Sequence, residues 1–186
     1  MQFIECERGG SAVFKVQGDG EVLADGSFTG PADFSEMIAV RAGASTAEAG
    51  DVMVIDPDGS REIAKSAAPR STLVAGVYST RPGFVGSERD WDRVDPFKAE
   101  GEEQETYTRA EMAAEFDEIP LAVVGIVPCK VTAENGPIRP GDLLVTSSTP
   151  GHAMRDDDPK TGTVLGKALE PHGAGTGLIR VLVTLQ

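Results

Sequence analysis

Apolar and polar residues alternate along the first thirty positions, in runs too short to close a core. Ala12-Val13-Phe14-Lys15-Val16 leads into the turn Gly18-Asp19-Gly20; Glu21-Val22-Leu23-Ala24 follows, then the turn Asp25-Gly26 and Ser27-Phe28. Period-two alternation marks half-buried strands. Asp-Gly between apolar runs marks a tight turn, because glycine reaches positive φ without steric cost. Two or three such strands bury little, so this pattern predicts a hairpin segment whose core is completed by equivalent strands of sister subunits, as in a fibre.

The pattern then becomes denser and repeats itself. Ala49-Gly50-Asp51-Val52-Met53-Val54 recurs as Pro140-Gly141-Asp142-Leu143-Leu144-Val145, and Leu73-Val74-Ala75-Gly76-Val77 recurs as Val164-Leu165-Gly166-Lys167-Ala168. Asp142 follows Asp51 by 91 positions and Gly166 follows Gly76 by 90, so two separate marks keep register within one residue. This predicts two copies of one β-supersecondary unit, in which Gly-Asp makes the turn that launches a buried strand. The apolar end, Gly177-Leu178-Ile179-Arg180-Val181-Leu182-Val183-Thr184-Leu185-Gln186, reads as a paired terminal strand that closes a domain, whereas the start reads as cut from something longer.

Between the copies lies an acidic insertion, residues 88–118, with twelve acidic and four basic side chains. Its first part reads as a solvated excursion pinned by Trp91 and Phe97. Its second part, Thr108 to Phe116, reads as one short helix: Thr108 and Glu111 have capping-box spacing, and Met112 and Phe116 form an i,i+4 apolar pair. The expected fold class is therefore all-β with one short helix. The hairpin segment occupies 1–30, and a compact duplicated β domain carrying the insertion occupies 31–186.

Composition narrows the function. The 186 residues are 40% hydrophobic and 25% charged, an ordinary globular balance, and 22 glycines with 12 prolines suit short strands and many turns. The net charge of −13 argues against a nucleic-acid backbone or an anionic membrane surface as partner. No apolar run has membrane-spanning length, and Met1 to Glu7 lacks the basic start and apolar middle of a signal peptide. Cys6, Cys129, His152 and His172 are scattered outside any metal-ligand spacing. Both histidines read as turn residues, Cys129 as a small buried hydrophobe and Asp156-Asp157-Asp158 as a solvated loop; Ser147-Ser148 has no readable base. No cofactor and no metal is implied.

The chemistry-bearing segment is Gly30-Pro31-Ala32-Asp33-Phe34-Ser35-Glu36-Met37, where the hairpins stop and the compact region begins. Two carboxylates three residues apart share a proton if the backbone bends, and such a pair can act on a neighbouring peptide bond as acid and base or nucleophile. A strand-entry Asp with a solvated Glu is the plain alternative.

Asp33-Phe34-Ser35-Glu36-Met37, Gly50-Asp51, Ala75-Gly76-Val77-Tyr78-Ser79-Thr80-Arg81-Pro82-Gly83 and Gly136 to Leu144 together resemble the C-terminal autoproteolytic intramolecular-chaperone domain of phage neck-appendage, tail-spike and tail-fibre proteins and related bacterial surface proteins. The likeness covers residues 30–186, and the hairpins before it resemble the β-rich shaft that enters such domains. It implies a homotrimer at a virion tail or cell surface, whose terminal domains help the shaft strands of the parent protein find register. It also implies, in cleaving members, a break just before the motif Asp. Carried over, the scissile bond is Ala32-Asp33, with Asp33 and Glu36 as the acting carboxylates. Ala32 departs from the Ser associated with self-cleavage and removes any hydroxyl-assisted acyl shift. The leading expectation is a non-cleaving trimerisation and assembly domain. Single-turnover self-cleavage is the alternative, and a receptor- or glycan-binding head using Trp91, Tyr107 and the insertion is a third reading.

Overall fold

The computed structural model describes residues 2–18, 20–25, 33–59, 61–86 and 117–185, with Gln2 and Phe3 described by their backbone alone. Two units are distinguished, Met1–Gly30 and Pro31–Gln186. The fold is all-β, and the short helical turn among the described residues is a 3-10 turn over Ala44–Thr46. The helix expected over Thr108 to Phe116 lies outside the described residues.

The first unit is an antiparallel sheet of β1 (Gln2–Arg8), β2 (Ser11–Gln17) and β3 (Val22–Ala24). Gly9 and Gly10, at φ +62° and +79°, turn β1 into β2, because a two-residue hairpin loop with the strands' own twist needs positive φ at both positions. Strand β1 was not among the expected elements, although Ile4 and Cys6 alternate there with Glu5 and Glu7. None of this unit's described side chains is buried. Phe28 lies outside the described residues.

The second unit contains β4 (Asp33–Val40), β5 (Val52–Ile55), β6 (Glu62–Lys65), β7 (Val74–Tyr78), β8 (Phe84–Gly86), β9 (Glu118–Thr132), β10 (Leu143–Thr146), β11 (Ala153–Arg155), β12 (Val164–Ala168) and β13 (Thr176–Val183). The fifteen-residue β9 belongs to two closed circuits. Its first half joins β7, β5, β6 and β4 in a ring that returns to β9, and its second half joins β13, β12, β10 and β11 in another. Closure leaves these strands few free edges.

The pairing is what a duplicated unit requires. Strand β5 meets β7 with Met53 opposite Gly76 and a bulge before Val54; β10 meets β12 with Leu144 opposite Gly166 and a bulge before Val145. Strand β4 runs parallel to β6 at Val40↔Ile63, as the second half of β9 runs parallel to β11 at Val131↔Ala153. Both Gly-Asp turns close identically: Asp51 Oδ2 accepts from the Glu48 amide and Asp142 Oδ2 from the Arg139 amide, each at 2.8 Å. Two cores form, and the larger also takes in Val52, Val77 and Ala122 from the first circuit. Val127, Cys129, Val131, Leu144, Leu165, Val181 and their neighbours form the larger one, and Val40, Met53, Ile63, Ile119 and Leu121 the smaller.

Candidate functional site

Asp33 opens β4 and is buried, although it is a carboxylate at a strand end. Its Oδ2 accepts a hydrogen bond from Ser35 Oγ at 2.9 Å, and Ser35 is fully enclosed. Residues two apart on a strand share a face, so this contact follows from the pleat. The Asp33 carbonyl accepts from the Gly83 amide at 2.8 Å, which ties the strand entry to the Ser79-Thr80-Arg81-Pro82-Gly83 segment.

Asp33 lines a cleft of about 670 Å³ where the two circuits meet. Gly50, the segment Tyr78 to Arg81, Ile126 to Pro128 of β9, and Leu178 and Arg180 of β13 also line it. Gly50 lies between strands: its amide donates to Tyr78 O and its carbonyl accepts from the Lys130 amide. At φ +82°, with a Cβ only 3.0 Å from Leu178, the position favours glycine. Sequence reasoning drew attention to Ser79-Thr80-Arg81 through a motif but missed Ser35, which two-residue spacing from Asp33 would have flagged. Nothing local in the sequence signals Arg180.

Glu36 is placed elsewhere. Three residues on a regular strand end on opposite faces, and the extra residue of the β4–β9 bulge, Val123, belongs to β9, so β4 keeps its alternation. The Glu36 carboxylate borders Gly86 of β8, on the face where Phe34 stacks on Phe84 at 5.0 Å. The shared-proton pair expected from the spacing is therefore not formed within this strand, because a shared proton needs both carboxylates on one side of the pleat. Ala32 of the Ala32-Asp33 bond lies outside the described residues, as do Trp91, Phe97, Tyr107 and nearly all of the acidic insertion.

Beside the cleft, the Gly50-Asp51 turn sets a charged network. Asp51 is about 1% exposed, and its two oxygens receive Lys130 Nζ at 2.7 Å and Lys65 Nζ at 2.8 Å. Burial opposes its charge, yet hydrogen bonds from both lysines and the Glu48 amide outweigh burial and hold the carboxyl below its ordinary range. Lys130 also reaches Glu48 at 2.5 Å.

The remaining sequence candidates are occupied locally. His152 Nδ1 sits 2.8 Å from Pro150 O, and His172 Nε2 sits 3.1 Å from Gly175 O. Ser147 Oγ donates to main-chain carbonyls of Thr149 and His152. Asp156 pairs with Arg70 at 2.6 Å. Burial, and to a lesser degree the charge of Asp51, push the Cys129 thiol up, so it stays unreactive. Among the described residues no three His, Cys, Asp or Glu side chains gather as a metal site, and no helix is long and apolar enough to cross a membrane.

No family model and no curated protein sequence matches this chain. Solved structures do. The crystal structure of the pre-mature bacteriophage phi29 gene product 12 superposes with a TM-score of 0.64 at 15% identity, covering 93% of this chain and 24% of that one. The head fibre gp8.5 N base of bacteriophage phi29 superposes with a TM-score of 0.41 at 16% identity, covering 81% of this chain and 92% of that one. At these identities the likeness to gene product 12 is one of fold, and the chain spans about a quarter of that protein's length.

Proposed function

We propose that this chain is the terminal self-associating domain of a phage fibre protein: a closed, duplicated β domain that brings copies together, so that the strands preceding it pair in register. The observation that carries this reading is the contrast between the two units. The described residues of the second unit enclose a full core, whereas no described side chain of residues 4–25 is buried. A sheet of that size is at best marginal alone. Joined to a stable associating domain, its strands meet at high effective concentration, which offsets the slow search of non-local β pairing. The fold shared with the pre-mature phi29 gene product supports a virion-associated setting, and the sequence resemblance supports three copies. Light scattering with an in-line mass readout tests it. A mass three times the 19.5 kDa chain is expected, and a stable monomer at micromolar concentration overturns the proposal.

A second reading, self-cleavage between Ala32 and Asp33, is favoured by one observation: a buried carboxylate, hydrogen-bonded by a buried serine, lines a cleft at the start of β4. With Ala32 in place of Ser and Glu36 on the other face, the retained chain remains the leading reading. Intact mass after long incubation is expected to show one species. Two fragments parted between residues 32 and 33 would establish cleavage instead. Asp33→Asn should then stop it, and Ser35→Ala should slow it about tenfold, the worth of one positioning hydrogen bond.

A further inference from the structure

The cleft beside Asp33 is lined by polar groups that the chain leaves unused. Asp33 is 6% exposed, and among the described residues its carboxylate accepts one hydrogen bond, from Ser35 Oγ to Oδ2, so Oδ1 has no donor. Ser79 is 4% exposed; its amide donates to Pro120 O, but among the described residues its hydroxyl makes no hydrogen bond. A buried polar atom without a partner costs free energy, and a ligand that supplies the partner recovers it.

Two arginines line the same cleft. Arg81 is exposed and has no ion pair among the described residues, and the Arg180 side chain is 70% exposed and meets Glu170 only at 3.7 Å. Their guanidinium forks match the two oxygens of a carboxylate. Strand β9 sets the spacing between the two kinds of group. It pairs with Asp33 at Gly125 and with Arg180 at Pro128, register positions about 10 Å apart at the rise of a strand. Ile126 and Leu178 add apolar surface.

We propose that this cleft binds an acidic saccharide of one or two rings. Its carboxylate rests on Arg180 and Arg81, its hydroxyls donate to Asp33 Oδ1 and Ser79 Oγ, and the C–H face of a ring lies against Ile126 and Leu178. A carboxylate accepts hydrogen bonds and cannot donate them, so Asp33 calls for hydroxyl donors, while the arginines call for a negative charge at the ligand's other end. An inorganic anion would satisfy the arginines and leave Asp33 unpaired, and a neutral sugar would do the reverse. The volume, about 670 Å³, suits a ligand of this size. The site lies within the second unit and requires neither self-association nor cleavage.

Calorimetric titration of the intact chain tests the proposal, with the glucuronate–N-acetylglucosamine disaccharide as probe and the uncharged N-acetylglucosamine disaccharide as control. Saturable binding of the probe is expected, at least about tenfold tighter than the control. Arg180→Gln should weaken it about tenfold and leave the melting temperature unchanged, because that side chain is exposed. Asp33→Asn and Ser79→Ala should each weaken it about threefold or more, and Ser79→Ala supplies the test if Asp33→Asn does not fold. Absent binding, equal affinity for the control, or unchanged affinity in Arg180→Gln overturns the proposal. So does displacement of the probe by an equal concentration of inorganic phosphate, which would mark a simple anion site. Equal affinity for acetyl-Ala-Glu, which has carboxylates and no hydroxyl, would assign the cleft to a peptide instead and likewise overturns it. None of these results depends on the mass of the assembled protein, so self-association stands or falls separately.

Discussion

Replacing Gly166 by alanine is expected to lower the stability of the second unit by about 3 kcal/mol or more, the upper range for forcing extra atoms into a packed interior. The reason is geometric. A Cβ at this position would lie 2.1 Å from the Leu182 carbonyl oxygen and 2.9 Å from the Leu182 carbonyl carbon. Both are backbone atoms of the adjacent strand β13, so no side chain can rotate away, and β12 must separate from the strand with which it pairs at Gly166↔Val183. For a domain of this size the loss corresponds to a fall in melting temperature of roughly 6–12 °C. Gly76, the equivalent residue of the first copy, should behave alike, because its Cβ would lie 2.3 Å from the Ala122 carbonyl oxygen at φ +155°. Gly141→Ala is the control. Its φ of +94° is strained for alanine, but nothing lies within 4 Å, so it should cost only about 1–2 kcal/mol. Thermal melts of the three variants check this, and a Gly166→Ala protein melting like the parent would remove the steric reason for the repeated glycine.

Asp51→Asn is expected to cost about 2–3 kcal/mol at neutral pH. Breaking a buried pair by removing one partner usually costs more, but Lys65 and Lys130 are 29% and 21% exposed and recover part of their hydration. Asp142→Asn, at the same place in the second copy, should cost under about 1 kcal/mol, since the amide oxygen still accepts from Arg139 and no ion pair to Asp142 is present among the described residues. The two variants should also differ with pH. The folded carboxyl of Asp51 is held below its unfolded value, so its contribution is fully present above about pH 4 and is lost as pH falls through the lower folded value. Urea titrations at neutral pH and below about pH 3 should therefore show the gap between parent and Asp51→Asn narrowing in acid. Glu48, held low by the hydrogen bond from Lys130, and Asp56, held low by that from Arg41, add to the acid sensitivity of the parent. A gap that stays constant across this range would mean that Asp51 stabilises by shape alone.

The site was less legible than the scaffold, and β4 shows why. The sequence marks Asp33 and Glu36 as a pair three residues apart, and only knowing whether those residues form a strand or a bend tells which side each faces. Once β4 is seen to be extended, Ser35 becomes the partner of Asp33, and Glu36 belongs with Gly86, Phe34 and Phe84. Arg180 and Leu178 line the cleft only because β13 pairs with the second half of β9. No spacing within the chain encodes that.

Local chemistry alone determined the alternation of β2, the turns, the two Gly-Asp boxes and the repeated glycines, since side-chain periodicity and positive φ are properties of a few consecutive residues. Tertiary structure decided that β9 serves both copies and that Asp51 meets two lysines from different strands. It also decided that Ile4, Cys6, Phe14, Val16, Val22 and Ala24 share one face of the first sheet, with Leu23 on the other. Those outcomes depend on which distant strands pair and in what register, and sheet closure sets that register across the whole chain.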